Sequence, residues 1–252
     1  VLARAGVELR FVATLGDDDN ARWIRATLEA EGVATDRCIP VEMPSDRSLI
    51  FVGPEGENAI ASSNQCADAL TPQDAARAVA ELAAGDVVLL QGGLTTATNR
   101  AACIAAKARG VRVVFNPSAM REGFAGLVPY ADLLVLNRIE ATQLAGAGEP
   151  ALQAQRLHAQ GAGDVVVTLG REGAVSAGQS GGFAVPAAPA QVCDSTGAGD
   201  TFLAVLAACR YARGLAMDRA LHCAAEAAAI TVSRAGTRAA FPTVAELAAI
   251  LD

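Results

Sequence analysis

From Thr71 onward the chain alternates between two rhythms. Near-continuous apolar runs at Asp86–Leu90, Val111–Phe115, Asp132–Leu136 and Asp164–Leu169 are separated by longer stretches with helical spacing, such as Thr71–Ala84 and Ala97–Arg109. Runs like VVLL and VRVVF suit strands buried on both faces, and their alternation with helices predicts an α/β domain built on a mostly parallel sheet. Before this region, Val1–Gly6 reads as the end of a helix and Arg10–Gly16 as a strand. Asp17-Asp18-Asp19 then caps a helix that runs to about Ala30. Acidic residues favour a helix start, so capping accounts for the three aspartates on its own. Ser48–Val52 and Asn58–Ser62 are β-prone runs around Gly53-Pro54-Glu55-Gly56-Glu57, the pattern of a hairpin. A second hairpin is expected where Gly170–Ala174 turns into Val175 and then Phe183–Val185. Thr201–Tyr211 and Met217–Ser233 read as helices, the second rich in alanine.

Length and charge narrow the field. At 252 residues the chain falls short of two domains of about 150 residues, so residues 1–252 are expected to form a single domain. The net charge is −7, which argues against a broad basic face for nucleic acid or an anionic membrane. Lys107 is the only lysine and no GxxxxGK[ST] string occurs, which excludes a Walker-type phosphate loop. Six cysteines lie scattered without a CxxC pair, and the two histidines show no ligand spacing, so free thiols are expected rather than a zinc site. No apolar run reaches a membrane span and no signal-peptide pattern is present, so a soluble, cytoplasmic protein is expected.

The chemistry concentrates in Asp194-Ser195-Thr196-Gly197-Ala198-Gly199-Asp200-Thr201-Phe202. A flexible turn opening a helix leaves N–H groups aimed outward at the positive end of the macrodipole, and glycine lets an anion approach the backbone. Asp200 in the first helical turn could take a proton from a hydroxyl while the turn holds charge developing on a phosphoryl group. Alternatively, Gly-Ala-Gly is only a turn and Asp200 only a helix-start charge. Asn137 and Glu140 pose a similar choice. They share a helix face at the carboxyl end of a strand, where such groups can order water around Mg²⁺, yet the same pair also makes an N-cap with a capping-box partner. Ligands of open sheets bind beyond strand carboxyl ends, which also draws attention to Gln91-Gly92-Gly93 and Asn116-Pro117-Ser118.

The string DSTGAGDTF resembles the signature of the ribokinase-like (PfkB) carbohydrate kinases, and the tail AAAITVSRAGTRAAFPT is most similar to their ribokinase branch. The resemblance runs from about Ala5 to Pro242. It implies a ribokinase-like three-layer sandwich with a mostly parallel central sheet, and a small β lid to which residues 38–62 contribute. Relatives begin with an earlier strand and a GG-containing loop ahead of the VATLGDDDNARWIRATLEAEGV unit, so the N-terminal strand is expected to be missing from these residues. By resemblance Asp200 is the catalytic base, and the amides of Gly197, Ala198 and Gly199 form the anion hole. Asn137 and Glu140 serve Mg²⁺ and phosphate placement. Thr168, Gly170 and Gly173 contact the nucleotide through the V-T-x-G-x-x-G segment, with Thr196 beside them. A K⁺ site is implied around Asp194, Thr196, Ser233 and Gly236, and a sugar contact at Asn64, which as a loop residue is also a good turn former. Relatives place a Glu near Gly92-Gly93 and often an Asn at Ala225, and the chain departs from both. The activity implied is ATP-dependent phosphorylation of a primary hydroxyl of a sugar, ribose being the first guess. A homodimer pairing lid to lid also follows. Two other readings stay open: a nucleoside or vitamin-alcohol kinase of the same fold, and a ligand-binding relative without catalysis.

Overall fold

The computed structural model describes residues 1–52 and 58–251; the turn expected at Gly53–Glu57 lies outside the described residues. The backbone packs as two compact units. The first comprises residues 1–70, 188–214 and 223–252, and the second residues 71–187 and 215–222.

The first unit opens with a turn over Val1–Gly6 that closes as a helix end does: Ala5 N donates to Val1 O at 2.9 Å, and past it Gly6 N, at φ +75°, donates to Ala3 O and Val7 N to Leu2 O. Strand β1 (Ala13–Leu15) pairs in parallel with β2 (Cys38–Pro40) around helix α1 (Asp19–Ala30). Asp18 caps α1 by accepting from Ala21 N at 2.8 Å, and its carboxylate also accepts from Ser45 N and Ser45 Oγ. Strands β3 (Ser48–Val52) and β4 (Asn58–Ser62) form a separate antiparallel ribbon in the expected register, with Ser48 opposite Ser62. On that ribbon Leu49 is 66% and Phe51 61% exposed. A short helix α2 (Gln65–Asp68) follows.

The second unit carries helix α3 (Pro72–Ala80), started by a Thr71–Asp74 capping box, and then the main sheet. Its elements are β5 (Val87–Gln91), α4 (Thr96–Arg109), β6 (Arg112–Asn116), β7 (Leu133–Asn137), α5 (Arg138–Ala145), α6 (Pro150–Ala159), β8 (Asp164–Thr168), β9 (Ala174–Gly178) and β10 (Phe183–Val185). The six-stranded order is β10-β9-β8-β7-β6-β5, parallel from β5 to β8 and antiparallel across β8-β9-β10. Strands β7 and β8 are buried along their whole apolar run, as expected of central strands covered on both faces. Leu134, Leu136, Val165 and Val167 are at most 1% exposed, each burial contributing about 1.5–3 kcal/mol. Phe115 meets Phe124 edge-on, with ring centres 5.3 Å apart.

The apolar runs end in a polar row. Gln91, Asn116, Asn137 and Thr168 are the last residues of β5, β6, β7 and β8, with Gln91 opposite Asn116 and Asn137 opposite Thr168. Asn116 Nδ2 donates to Val135 O at 2.8 Å, stitching the row across the strands. The chain then returns to the first unit with α7 (Ala198–Ala207) and a π-helical turn at Ala208–Ala212; α8 (Met217–Val232) starts in the second unit and enters the first at Cys223, and α9 (Val244–Leu251) ends the first. Among the described residues, no helix is long and apolar enough to cross a membrane. All six cysteines are free thiols, Cys193 alone being exposed.

Candidate active site

Nine of the residues singled out from the sequence fall on the first unit: Asn64, Asp194, Thr196, Gly197, Ala198, Gly199, Asp200, Ser233 and Gly236. The other five, Asn137, Glu140, Thr168, Gly170 and Gly173, fall on the second.

In the first unit the approach to the signature is stitched to the end of α8, because Cys193 N and Asp194 N both donate to Val232 O, at 2.7 and 3.2 Å. Asp194 then binds two loops at once. One carboxylate oxygen accepts from Thr196 N at 2.9 Å and the other from Gly236 N at 3.1 Å. The Thr196 N–H, followed by the Thr196 side chain and the Gly236 N–H, holds this carboxyl below the usual carboxylate range. Gly197 caps α7 at φ +84°, a left-handed conformation that L side chains rarely adopt. A Cβ there would fall 2.8 Å from Phe241 Cε1 and 3.2 Å from Thr237 Cγ2, so torsion and packing both demand glycine.

The helix that follows is anchored throughout. Thr201 to Ala207 are all buried, and Thr201 Oγ1 bonds Thr231 Oγ1 at 2.9 Å with both residues fully inaccessible. Asp200 is therefore the last exposed residue before a buried helix, which places a carboxylate at the surface on a rigid element. The amides divide in their use. Ala198 N donates to Ser195 O at 3.2 Å and Thr201 N to Gly197 O at 2.9 Å, closing the turn. Among the described residues no backbone carbonyl accepts from Gly199 N, and a Cβ on Gly199 would meet nothing within 4 Å. That amide sits in the first turn of a helix and is open to an anion from outside.

The hydroxyl of Ser233 donates to Ile230 O at 2.7 Å. Asn64 stands at the N-cap of α2 without making a side-chain cap; Asp46 accepts from Cys66 N and Ala67 N instead. That arrangement leaves the exposed Asn64 amide available to a ligand. A groove of about 480 Å³ on this unit is lined by Pro189, Gln191, Glu226, Ile230, Ser233 and Ile250, of which only Ser233 was singled out from the sequence.

In the second unit Asn137 and Glu140 form a complete capping box at the start of α5. Glu140 N donates to Asn137 Oδ1 and Asn137 N to Glu140 Oε2, both at 2.9 Å. Asn137 is exposed and Glu140 is only 6% exposed. The box uses one oxygen of each side chain and leaves the second Glu140 oxygen outside it. Among the described residues, no group of three His, Cys, Asp or Glu could bind a metal directly. One carboxylate with an amide beside it fits Mg²⁺, which keeps several waters and draws further ligands from phosphate.

Thr168 ends β8, and the turn after it closes with Leu169 N donating to Gly173 O at 2.8 Å. A Cβ on Gly173 would lie 2.0 Å from Val185 O, so this glycine is required by the fold of the hairpin. A Cβ on Gly170, by contrast, would meet nothing within 4 Å, which leaves its backbone open to approach. Arg138 reaches across to Glu172 at 2.9 Å and joins the start of α5 to the same turn.

The family model for pfkB family carbohydrate kinases matches residues 1–244. A ribokinase of Bacillus subtilis is 29% identical over 250 residues, which cover 99% of this chain and 84% of the relative. Among solved structures, a ribokinase from Thermotoga maritima superposes with a TM-score of 0.87 at 26% identity, covering 99% of this chain and 84% of that one. A ribokinase from Arabidopsis thaliana, solved in complex with ribose and ATP, gives a TM-score of 0.84 at 27% identity, covering 99% and 83%.

Proposed function

The chain belongs to the pfkB family of carbohydrate kinases, and on that premise we propose that it moves the γ-phosphoryl group of ATP to a primary hydroxyl of a sugar, with ribose the first candidate. The observation that carries this reading is Asp200, an exposed carboxylate in the first turn of a buried helix, just past a turn that only glycine can make. Asp200 accepts the hydroxyl proton as the sugar oxygen attacks the γ-phosphorus. The bond from that phosphorus to the bridging oxygen breaks, and ADP leaves with the electron pair. Gly199 N–H, with Gly197 and Ala198 shaping the turn, faces charge that grows on the phosphoryl oxygens. On the second unit the open backbone at Gly170 and the Thr168 hydroxyl suit nucleotide contacts.

Mg²⁺, when bound with the nucleotide, neutralises charge on the phosphates, and Asn137 and Glu140 are the residues that would hold its water shell. A K⁺ role belongs to the same proposal. What supports it is that Asp194 ties the signature to the loop at Gly236; with Thr196 and Ser233 it would offer oxygen atoms to a monovalent cation. The reading of residues 1–252 as a single kinase domain is supported by one family match running through both units. Pairing of two copies through the β3–β4 ribbon is supported by its exposed Leu49 and Phe51.

The test is ADP release with Mg²⁺ and K⁺ across ribose, deoxyribose, fructose, adenosine and a blank without acceptor. Acceptor-dependent release names the substrate class. Asp200→Asn should lower turnover by about 10²- to 10⁴-fold while ATP still binds. An active Asp200→Asn enzyme would remove the proposed base, and unchanged rates with tetramethylammonium in place of K⁺ would remove the cation role.

A further inference from the structure

Arg4 is separated from the signature by most of the chain, yet it holds the segment that backs the catalytic turn. Its guanidinium is gripped by Glu31: Nε donates to Oε2 at 2.7 Å and Nη2 to Oε1 at 2.5 Å. The remaining Nη1 donates to the carbonyls of Phe241 and Pro242, both at 3.1 Å. Arg238, from the same segment, adds a bond to Glu31 Oε1 at 3.2 Å. One carboxylate thus fastens two arginines, and one of those arginines fastens two backbone carbonyls.

That segment touches the turn at three places. The ring of Phe241 and the methyl of Thr237 stand 2.8 and 3.2 Å from the point where a Cβ on Gly197 would be, and Gly236 N donates to Asp194. Simple ion pairs at a surface contribute little to stability, so charge alone does not explain the arrangement. A guanidinium reaches a carboxylate and two carbonyls at once because its donors form a rigid planar fork, which an ammonium does not.

We propose that Arg4, oriented by Glu31, is a positioning residue for phosphoryl transfer: by holding Phe241 against Gly197 it sets where the first turn of α7, and hence Asp200, stands. Arg4 touches neither substrate nor reacting atoms and acts through Phe241. Its kinetic consequence rests on the function proposed above, whereas its mechanical consequence does not. Displacement of a catalytic group by about 1 Å can cost about 10²-fold in rate, so a loosened clamp should be visible in turnover.

Two measurements test the clamp. The first is a double-mutant cycle of Arg4→Met with Gly197→Ala, followed by equilibrium unfolding. A pinned Phe241 cannot yield to the new methyl, and a released one can. The combined loss in the unfolding constant should therefore be at least about fivefold smaller than the product of the two single losses. Effects that multiply within about twofold overturn the proposal. The second is steady-state kinetics of Arg4→Lys, which keeps the charge and loses the fork, at a temperature where circular dichroism shows an intact fold. We expect kcat to fall about 10- to 100-fold, with KM for acceptor and nucleotide changed less than about threefold. An Arg4→Lys enzyme with wild-type kcat overturns the proposal, as does one changed only in KM. Glu31→Gln, which weakens the grip without touching Arg4, should lower kcat in the same direction. Should the wild-type protein release no ADP with any acceptor, the proposed function fails, and the unfolding cycle still decides the clamp.

Discussion

Gly197→Ala attacks the signature turn at its most constrained point. The backbone there has φ +84°, and holding a residue with a Cβ in the left-handed region costs about 1–2 kcal/mol. The new methyl would also come within 2.8 Å of a Phe241 ring carbon and 3.2 Å of the Thr237 methyl. Forcing an extra carbon into a packed contact costs about 1–3 kcal/mol. The sum is about 2–5 kcal/mol against a typical total of about 5–15 kcal/mol, which should lower the thermal midpoint by several degrees or more. Gly199→Ala is the matched control, since it lies two residues on, in helical conformation, with nothing within 4 Å of its new Cβ. Its stability should hold or rise by about 0.4–1 kcal/mol. Its turnover should nevertheless fall, because the methyl stands in the anion's approach to the amide. Far-UV circular dichroism in a urea series, paired with ADP release, separates the two effects. Gly197→Ala as stable as wild type would refute the packing argument, and a fully active Gly199→Ala would refute the open-amide argument.

Three further outcomes follow from contacts elsewhere. Glu31 and Glu246 are each held down to about 2, first by hydrogen bonds from Arg4 and Arg234 respectively. Folded values below the unfolded one mean that this stability is complete above about pH 4.5 and is lost as pH falls toward 2. An unfolding midpoint flat from pH 7 to 5 and dropping below 4.5 is expected, with a shallower drop in Arg4→Met; an unchanged slope in that variant would sever the link. Asn137→Ala should cost about 0.5–2 kcal/mol by removing the cap at Glu140 N, whereas Asn137→Ser should keep the cap. If the amide also orders Mg²⁺ water, both variants raise KM for the magnesium nucleotide; a normal KM in Asn137→Ser leaves only the cap. Thr231→Val strands the buried Thr201 hydroxyl and should cost about 1–3 kcal/mol, whereas Thr201→Val leaves Thr231 Oγ1 donating to Ala227 O and should cost less; the two changes together should cost less than the single changes summed.

How far the sequence could be read depends on whether the cause was local. Strands β5, β6 and β7 each run one residue past the apolar run that predicted them, ending at Gln91, Asn116 and Asn137. Apolarity stops where burial stops, while the hydrogen-bond ladder continues for one more polar residue at the carboxyl edge of the sheet. The helix expected at Thr201–Tyr211 begins three residues earlier, at Ala198, because Gly197 supplies the cap in left-handed conformation; its last turn becomes π-helical at Ala208–Ala212. Nothing in the stretch Ala208-Cys209-Arg210-Tyr211-Ala212 marks that change. Helix α9 was likewise not expected from the pattern, since Val244–Leu251 is short and almost wholly apolar.

The same distinction holds within the candidate site. The signature is legible because a glycine turn, a helix start and a carboxylate lie next to one another, and each has a backbone reason to be there. The capping box is legible as a box, and its geometry accounts for both residues without a metal, which is why a second role for Asn137 must be decided by Ser against Ala rather than by inspection. The clamp has no such signal. Arg238 and Phe241 lie in the tail that resembles ribokinases, but no spacing joins them to Arg4 and Glu31, and the contacts span up to 238 positions. What unites them is that the turn at Gly197 has no room for a side chain and therefore needs a wall. A turn that could be read residue by residue is held by a wall that could not, and substitutions in the wall are where loss of turnover without loss of any recognisable motif should be found.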